Sequence, residues 1–195
     1  MMTSARKLVF LLSFVILSCN SSSKNNIDEI VSIVGKTMGT TYSVKYATGI
    51  KSNEDIKENK NKIEEILRNV NIQMSTYIPE SEISQFNKMR STEWMNISED
   101  FAFVVKSSFE YYNMSGGLYD ITVMPLVNLW GFGPDKFIDI PTTTNIDSVL
   151  AFIGQDLIEI EDNRIRKKDS RVQIDLSSIA KGFAVDKIIE SLNYD

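Results

Sequence analysis

Four stretches of this chain carry residue types and spacings that could do chemistry. The first is IDLSSIAKG at 174–182. A β-rich run, Val172–Leu176, delivers Asp175 to its end, and two serines and a glycine flank the start of a helix. Free backbone N–H groups and the helix dipole favour a phosphate there. Lys181 adds a positive charge, and Asp175 could take a metal or a ligand hydroxyl. Most strand–turn–helix junctions bind nothing, so the spacing alone assigns no ligand. The second stretch is GKTMGTTYSV at 35–44. Gly35 and Gly39 permit close backbone approach, and Met38 between them can lie against a flat aromatic ring. A hairpin turn with a core methionine accounts for the same letters. The third, MSTYIPESE from residue 74, offers Tyr77 in a loop. The fourth, SGGLYDITVMPLVNLWGFGP at 115–134, concentrates glycines, a proline and a tryptophan around one carboxylate, Asp120. Following an aromatic residue, that carboxylate could hydrogen-bond a heterocycle.

What is missing narrows the chemistry. The sequence holds no histidine and one cysteine. A Ser-His-Asp triad, a Cys-His pair and the usual zinc site cannot be assembled from it. A metal would need oxygen ligands, which suits magnesium or calcium. The net charge of −5 argues against nucleic acid, which needs a basic face. It leaves room for a small phosphorylated ligand held through a metal. A length of 195 residues suits one domain, and 43% apolar residues can fill a core.

The elements that must position these stretches are legible from periodicity and caps. Ile30–Tyr46 reads as two β-rich arms around the glycines. Ser52 opens a helix with Ile56, Ile63, Ile66, Leu67 and Val70 along one stripe. Pro79 and Ser81 precede a brief helix. Ser98 caps another, with Phe101, Val104, Val105, Ser108, Phe109 and Tyr112 facing inward and Gly116-Gly117 ending it. A short helix is expected over Ile146–Ile153, stopped by Gly154. Leu157–Ile160 and Arg164–Lys167 read as a hairpin around Asp162-Asn163. Val172–Leu176 reads as a third strand, feeding a helix with Val185, Ile188, Ile189 and Leu192 on one face. The irregular alternation of strands and helices predicts a single α+β domain.

The N-terminus has its own signature. Arg6 and Lys7 precede an apolar run from Leu8 to Leu17, which reads as a signal peptide over residues 1–18. Ile16-Leu17-Ser18 before Cys19 resembles a bacterial lipobox, so Cys19 is expected to carry lipid. Residues 19–29 form a polar tether, and the folded part spans 30–195. The expected location is the bacterial cell envelope, lipid-anchored to a membrane and facing the periplasm or exterior.

The four stretches, in their order, resemble the FAD:protein FMN transferase family, often called ApbE-like. The matching segments are GKTMGTTYSV, MSTYIPESEISQFN, SGGLYDITVMPLVNLWGFGP and IDLSSIAKGFAVD, together covering most of residues 35–186. The resemblance implies a T-fold-type α+β domain that binds FAD, uses magnesium and moves FMN onto a threonine hydroxyl of a target protein, releasing AMP. A subunit of a flavinylated redox complex is the kind of target it implies. Carried over position by position, Met38, Tyr77, Leu118, Tyr119, Asp120, Asp175 and Lys181 would contact FAD, and Ser178 would give the magnesium an oxygen, which could be its backbone carbonyl. No catalytic residue is assigned. Members of the family run longer, with a later His-containing segment and an Asp/Thr-bearing segment that completes the magnesium site. The expectation is therefore an N-terminal portion whose fold is incomplete at the C-terminus, with weak magnesium binding and slow or no transfer. Two other activities fit the same motifs: an FAD-holding lipoprotein without transfer, and a magnesium-dependent FAD pyrophosphatase.

Overall fold

Strand β1 (Glu29–Thr37) alternates as a half-buried strand should: Val31 and Ile33 are buried, while Ile30 and Val34 face solvent. It pairs antiparallel with β2 (Thr40–Thr48) in continuous register from Glu29↔Thr48 to Thr37↔Thr40. The two-residue connection is Met38-Gly39, with φ of 50° and 71°. Both central residues thus sit in the left-handed region, as the I′ hairpin turn requires. The computed structural model describes residues 29–48, 52–134 and 140–193. The expected signal peptide, Cys19 and the expected tether as far as residue 28 lie outside the described residues.

Close packing inside this hairpin gives the first testable consequence. A Cβ added at Gly35 would stand 2.5 Å from the Tyr42 ring. The Tyr42 hydroxyl is buried without a hydrogen-bond partner. Burial raises its pKa, and the nearby Glu64 carboxylate raises it further without closing a well-formed hydrogen bond. Gly35→Ala must displace the ring and is expected to lower unfolding stability by about 1–3 kcal/mol, as overpacking does. Urea unfolding measures this; an unchanged midpoint would show that the ring yields freely.

Hydroxyl caps set the helix starts. Helix α1 (Asn53–Met74) opens on a capping box, with the Ser52 N–H donating to Asp55 Oδ2 at 2.9 Å and the Asp55 N–H returning to Ser52 Oγ at 3.3 Å. Its Ile63, Leu67, Val70 and Met74 are buried. Helix α2 (Glu82–Lys88) is capped by the buried Ser81, whose hydroxyl donates back to Ser75 O at 2.7 Å. A two-residue strand β3 (Met95–Asn96) leads to helix α3 (Glu99–Met114), capped by Ser98. Glu82 of α2 accepts both the Ser98 N–H and hydroxyl, tying the two helix starts together. Phe101, Val104, Val105 and Ser108 are buried as expected; Phe109 is half-buried.

After Gly116 and Gly117, both at positive φ, a 3-10 turn (Ile121–Val123) runs into the short helix α4 (Met124–Leu129). Pro125 occupies its first turn, where a missing N–H costs nothing. Helix α5 covers Thr143–Leu150, earlier than expected, because Thr142 and Asn145 form a capping box. Strands β4 (Ile158–Glu161) and β5 (Arg164–Lys167) form the expected hairpin, with Asp162 at φ 49°. β3 joins the other edge of β5, giving the order β3-β5-β4.

Two expectations are corrected. Val172–Leu176 is extended but joins no strand ladder among the described residues. The carboxamide of Asn87 occupies the backbone of Ile174 instead: Nδ2 donates to Ile174 O and Oδ1 accepts the Ile174 N–H, each at 2.8 Å. The last helix, α6 (Ala180–Asn193), buries a face rotated from the expected stripe, keeping Ile188 and, in part, Leu192. Ala180, Phe183, Ala184 and Ile188 turn into the core beside α1, while Val185 and Ile189 are about half exposed. The i, i+3/i+4 pattern permits either stripe, and contact with α1 selects the one carrying Phe183.

Candidate functional site

Three elements far apart in sequence enclose a cavity of about 600 Å³: the β1–β2 turn, the end of α1 with its following loop, and the start of α6. Met38, Tyr77, Asp175 and Lys181 all line it, with Asn71 and Met74 on its α1 wall. Met38 is held in the left-handed region, a conformation that non-glycine residues adopt at a cost. The turn that carries it is anchored by Asn71, whose Nδ2 donates to Thr37 Oγ1 at 2.9 Å and to Leu67 O at 2.8 Å. Tyr77 is 67% exposed at the rim, and its hydroxyl donates to Phe132 O at 2.8 Å, closing the 74–81 loop onto the glycine-rich segment.

Asp175 is aimed by its neighbours on both sides. Its N–H donates to Ile121 O at 2.8 Å. Its Oδ1 accepts the Ser177 N–H at 2.8 Å and the Ser177 hydroxyl as well. Lys181, one turn further, reaches Ser177 O at 3.4 Å and is exposed toward the cavity. One carboxylate, one ammonium and two serine hydroxyls therefore gather where α6 begins.

A second cavity, of about 650 Å³, opens on the other side of the Ser177–Ser178 turn, between α3 and α6. Tyr119 and Ser178 line it, and their hydroxyl oxygens lie 3.1 Å apart. The Tyr119 ring meets Tyr111 edge-on at 5.9 Å. The remaining two sequence candidates line neither cavity. Leu118 is 92% exposed. Asp120 caps the 3-10 turn, accepting the Thr122 N–H at 2.7 Å and the Thr122 hydroxyl at 2.6 Å.

Sequence reasoning missed Asn71 and Asn87. Each is an asparagine inside a helix, where its side chain competes with the backbone and lowers helix propensity. Asn71 directly follows the buried Val70, four residues after Leu67, and Asn87 follows the buried Phe86. A polar residue beside a buried stripe was the available signal. As for a metal, no group of three His, Cys, Asp or Glu side chains is brought together among the described residues. Asp175, Ser177 and Ser178 supply hard oxygen donors of the type magnesium takes, with one formal charge among them. They fit such an ion in kind, as part of a coordination shell.

Small antiparallel sheets, a hairpin turn facing a helix start, and cavities on both sides of that start define an α+β fold shared with flavin transferases. The solved flavin transferase ApbE of Vibrio cholerae superposes with a TM-score of 0.81 at 39% identity, over 86% of this chain and 54% of that one. The apo flavinyl transferase ApbE of Pseudomonas stutzeri gives 0.79 at 32% identity, over 86% and 56%. In sequence, the FAD:protein FMN transferase of Haemophilus influenzae is 41% identical over 170 residues, 84% of this chain and 49% of that protein. Residues 38–194 match the ApbE family, and the chain belongs to it. It spans about half the length of the curated relatives it matches.

Proposed function

We propose that this chain carries the FAD-binding part of a magnesium-dependent FAD:protein FMN transferase, which moves FMN to a threonine hydroxyl of a target protein and releases AMP. The observation that carries the reading is the 600 Å³ cavity, where Met38, Tyr77, Asp175 and Lys181 meet from three separate stretches. Its wall is mostly apolar and its charged groups cluster at one end, beside the start of α6. A flat ring with a phosphate tail matches that division.

The chain's own groups have definable tasks. Met38 and Met74 offer polarisable surface to an aromatic ring. Tyr77 closes the rim through Phe132 O. Lys181 and the positive end of the α6 dipole would attract phosphate oxygens. Asp175, pinned at backbone and carboxylate, would hold a cation or a ligand hydroxyl. Ser178, whose hydroxyl faces Tyr119 in the second cavity, would offer the same cation its backbone carbonyl. Bound magnesium would supply charge neutralisation for the pyrophosphate and the leaving AMP. In the transfer, the threonine oxygen would form a bond to the FMN phosphorus and give up its proton to solvent as the P–O bond to the leaving AMP breaks.

Lipidation of Cys19, a polar tether ahead of β1 and a bacterial membrane surface as the place of work are part of the same proposal. They are supported by the apolar run ending in ILSC. Among the described residues no helix is long and apolar enough to cross a membrane.

The test is a titration of the purified chain with FAD followed by flavin fluorescence, then incubation with magnesium and a threonine-bearing acceptor. FAD binding is expected, weakened about tenfold in Lys181→Ala through loss of a charge-assisted contact. A covalently fluorescent acceptor supports transfer. AMP release without a labelled acceptor points to pyrophosphatase chemistry instead. Failure of the chain to bind FAD sinks the reading.

A further inference from the structure

We infer that Asn87 is a positioning residue of the flavin site, acting through the backbone of Ile174 to fix the Asp175 carboxylate; the inference rests on the proposed function for its ligand, not for its geometry. Asn87 lies near the end of α2 and is 8% exposed. It lines neither cavity. Its carboxamide makes a closed pair with a single residue: Nδ2 to Ile174 O and the Ile174 N–H to Oδ1, each at 2.8 Å. The donor and acceptor of Ile174 fix which end of the amide is which. A carboxamide has the donor–acceptor geometry of a peptide group, so Asn87 does for Ile174 what a neighbouring strand does for a ladder residue.

The clamp lies one residue from the carboxylate it serves. Directly beyond it, the Asp175 N–H is held by Ile121 O at 2.8 Å. The 174–175 segment is thus gripped by α2 on one side and by the residue after Asp120 on the other. Asn87's own carbonyl is held by Lys167 Nζ at 3.4 Å and Gln173 Nε2 at 3.5 Å, so the clamp is itself braced. Ile174 is fully buried. With its two polar backbone groups satisfied by one side chain, loss of that side chain leaves both unpaired and frees the segment to shift. The site then loses the alignment of Asp175 with Ser177 and Lys181, though no group that touches ligand has changed.

The experiment uses the full chain with Asn87→Leu, which keeps volume and removes both hydrogen bonds. Phe101→Leu is the comparison, a buried α3 change that lines neither cavity and sets the effect of lost stability alone. Amide hydrogen exchange is read without ligand, and FAD affinity by flavin fluorescence. In Asn87→Leu, exchange at the Asp175 amide is expected to rise at least about tenfold and FAD affinity to fall about tenfold. In Phe101→Leu both are expected to stay within about threefold, even at equal loss of global stability. If Asn87→Leu does not fold, Asn87→Asp, which keeps the acceptor and loses the donor, is read the same way. Equal changes in the two variants, or an Asp175 amide undisturbed by loss of the clamp, overturn the inference. If the wild-type chain binds no FAD, the functional proposal fails, and the exchange measurements alone decide whether Asn87 positions Asp175.

Discussion

Between pH 8 and 10.5 the chain is expected to gain about 2 kcal/mol of stability relative to a Lys167→Met variant, a window set by the lowered pKa of Lys167. Lys167 ends β5 with its side chain shut off from solvent. Its ammonium donates to Met89 O at 2.8 Å, Asn87 O at 3.4 Å and Ser170 O at 3.5 Å, and lies 4.9 Å from the centre of the Phe86 ring. Burial pushes its pKa from 10.5 down to about 8; the Arg90 charge adds to this and Asp169 opposes it. Below pH 8 both folded and unfolded lysine are protonated, and the folded state bears the full desolvation cost. As pH rises through 8, the folded group releases its proton while the unfolded one keeps it until 10.5. The unfolded state then binds more protons, so stability rises with pH. At about 1.36 kcal/mol per unit the limit is roughly 3 kcal/mol, and solvent screening of the exposed Arg90 charge brings it to about 2. Denaturant unfolding of both proteins across this range gives the difference directly. A difference that stays flat with pH would show that Lys167 keeps an ordinary pKa despite its burial.

That lysine illustrates what could not be read from the letters. In RIRKKD it looks like one more solvated charge, and only the fold turns it toward three carbonyls. Local chemistry, by contrast, was written plainly. Ser52, Ser81 and Ser98 start helices because a hydroxyl there satisfies an N–H that has no other partner. Met38-Gly39 and Asp162-Asn163 turn the two hairpins because Gly39 and Asp162 tolerate the positive φ they adopt. Thr142 follows the same cap rule, four residues ahead of the apolar periodicity that begins at Ile146. The failures are long-range. Val172–Leu176 has strand composition, but its groups are met by Asn87 and Ile121, at large sequence separation. The α6 stripe was ambiguous until α1 chose it.

The candidate site divides in the same way. Four of its residues could be named because glycine, proline and charge mark unusual backbone, and the fold brings Met38, Tyr77, Asp175 and Lys181 to one cavity. Asn71 and Asn87 carry no such mark. They act on the site through Thr37 and Ile174, and that relation exists only in three dimensions.

Asp120→Ala is expected to cost both stability and FAD affinity, and Asp120→Asn to separate the two. Asp120 Oδ1 accepts the N–H and the hydroxyl of Thr122. Thr122 is fully buried, and its Oγ1 in turn accepts the Gly154 N–H at 2.7 Å. Alanine at 120 leaves two buried donors without an acceptor, a loss of about 2–3 kcal/mol. Asparagine keeps the acceptor and is expected to retain most of that stability, within about 1 kcal/mol. It removes the charge, however, so the charge-assisted bond to FAD that the family resemblance implies for Asp120 would be lost in either variant, worth roughly 1.5–3 kcal/mol or about ten- to a hundredfold in affinity. Glu65→Ala, on the exposed face of α1, is the neutral reference. Glu64 is unsuited to that purpose because it stands beside Tyr42 and pairs with Lys60. Thermal unfolding and FAD titration of the three variants give both quantities. If Asp120→Asn binds FAD as tightly as Glu65→Ala, the carboxylate serves only as the cap of the 3-10 turn, and the ligand contact must be sought among the groups that line the cavity.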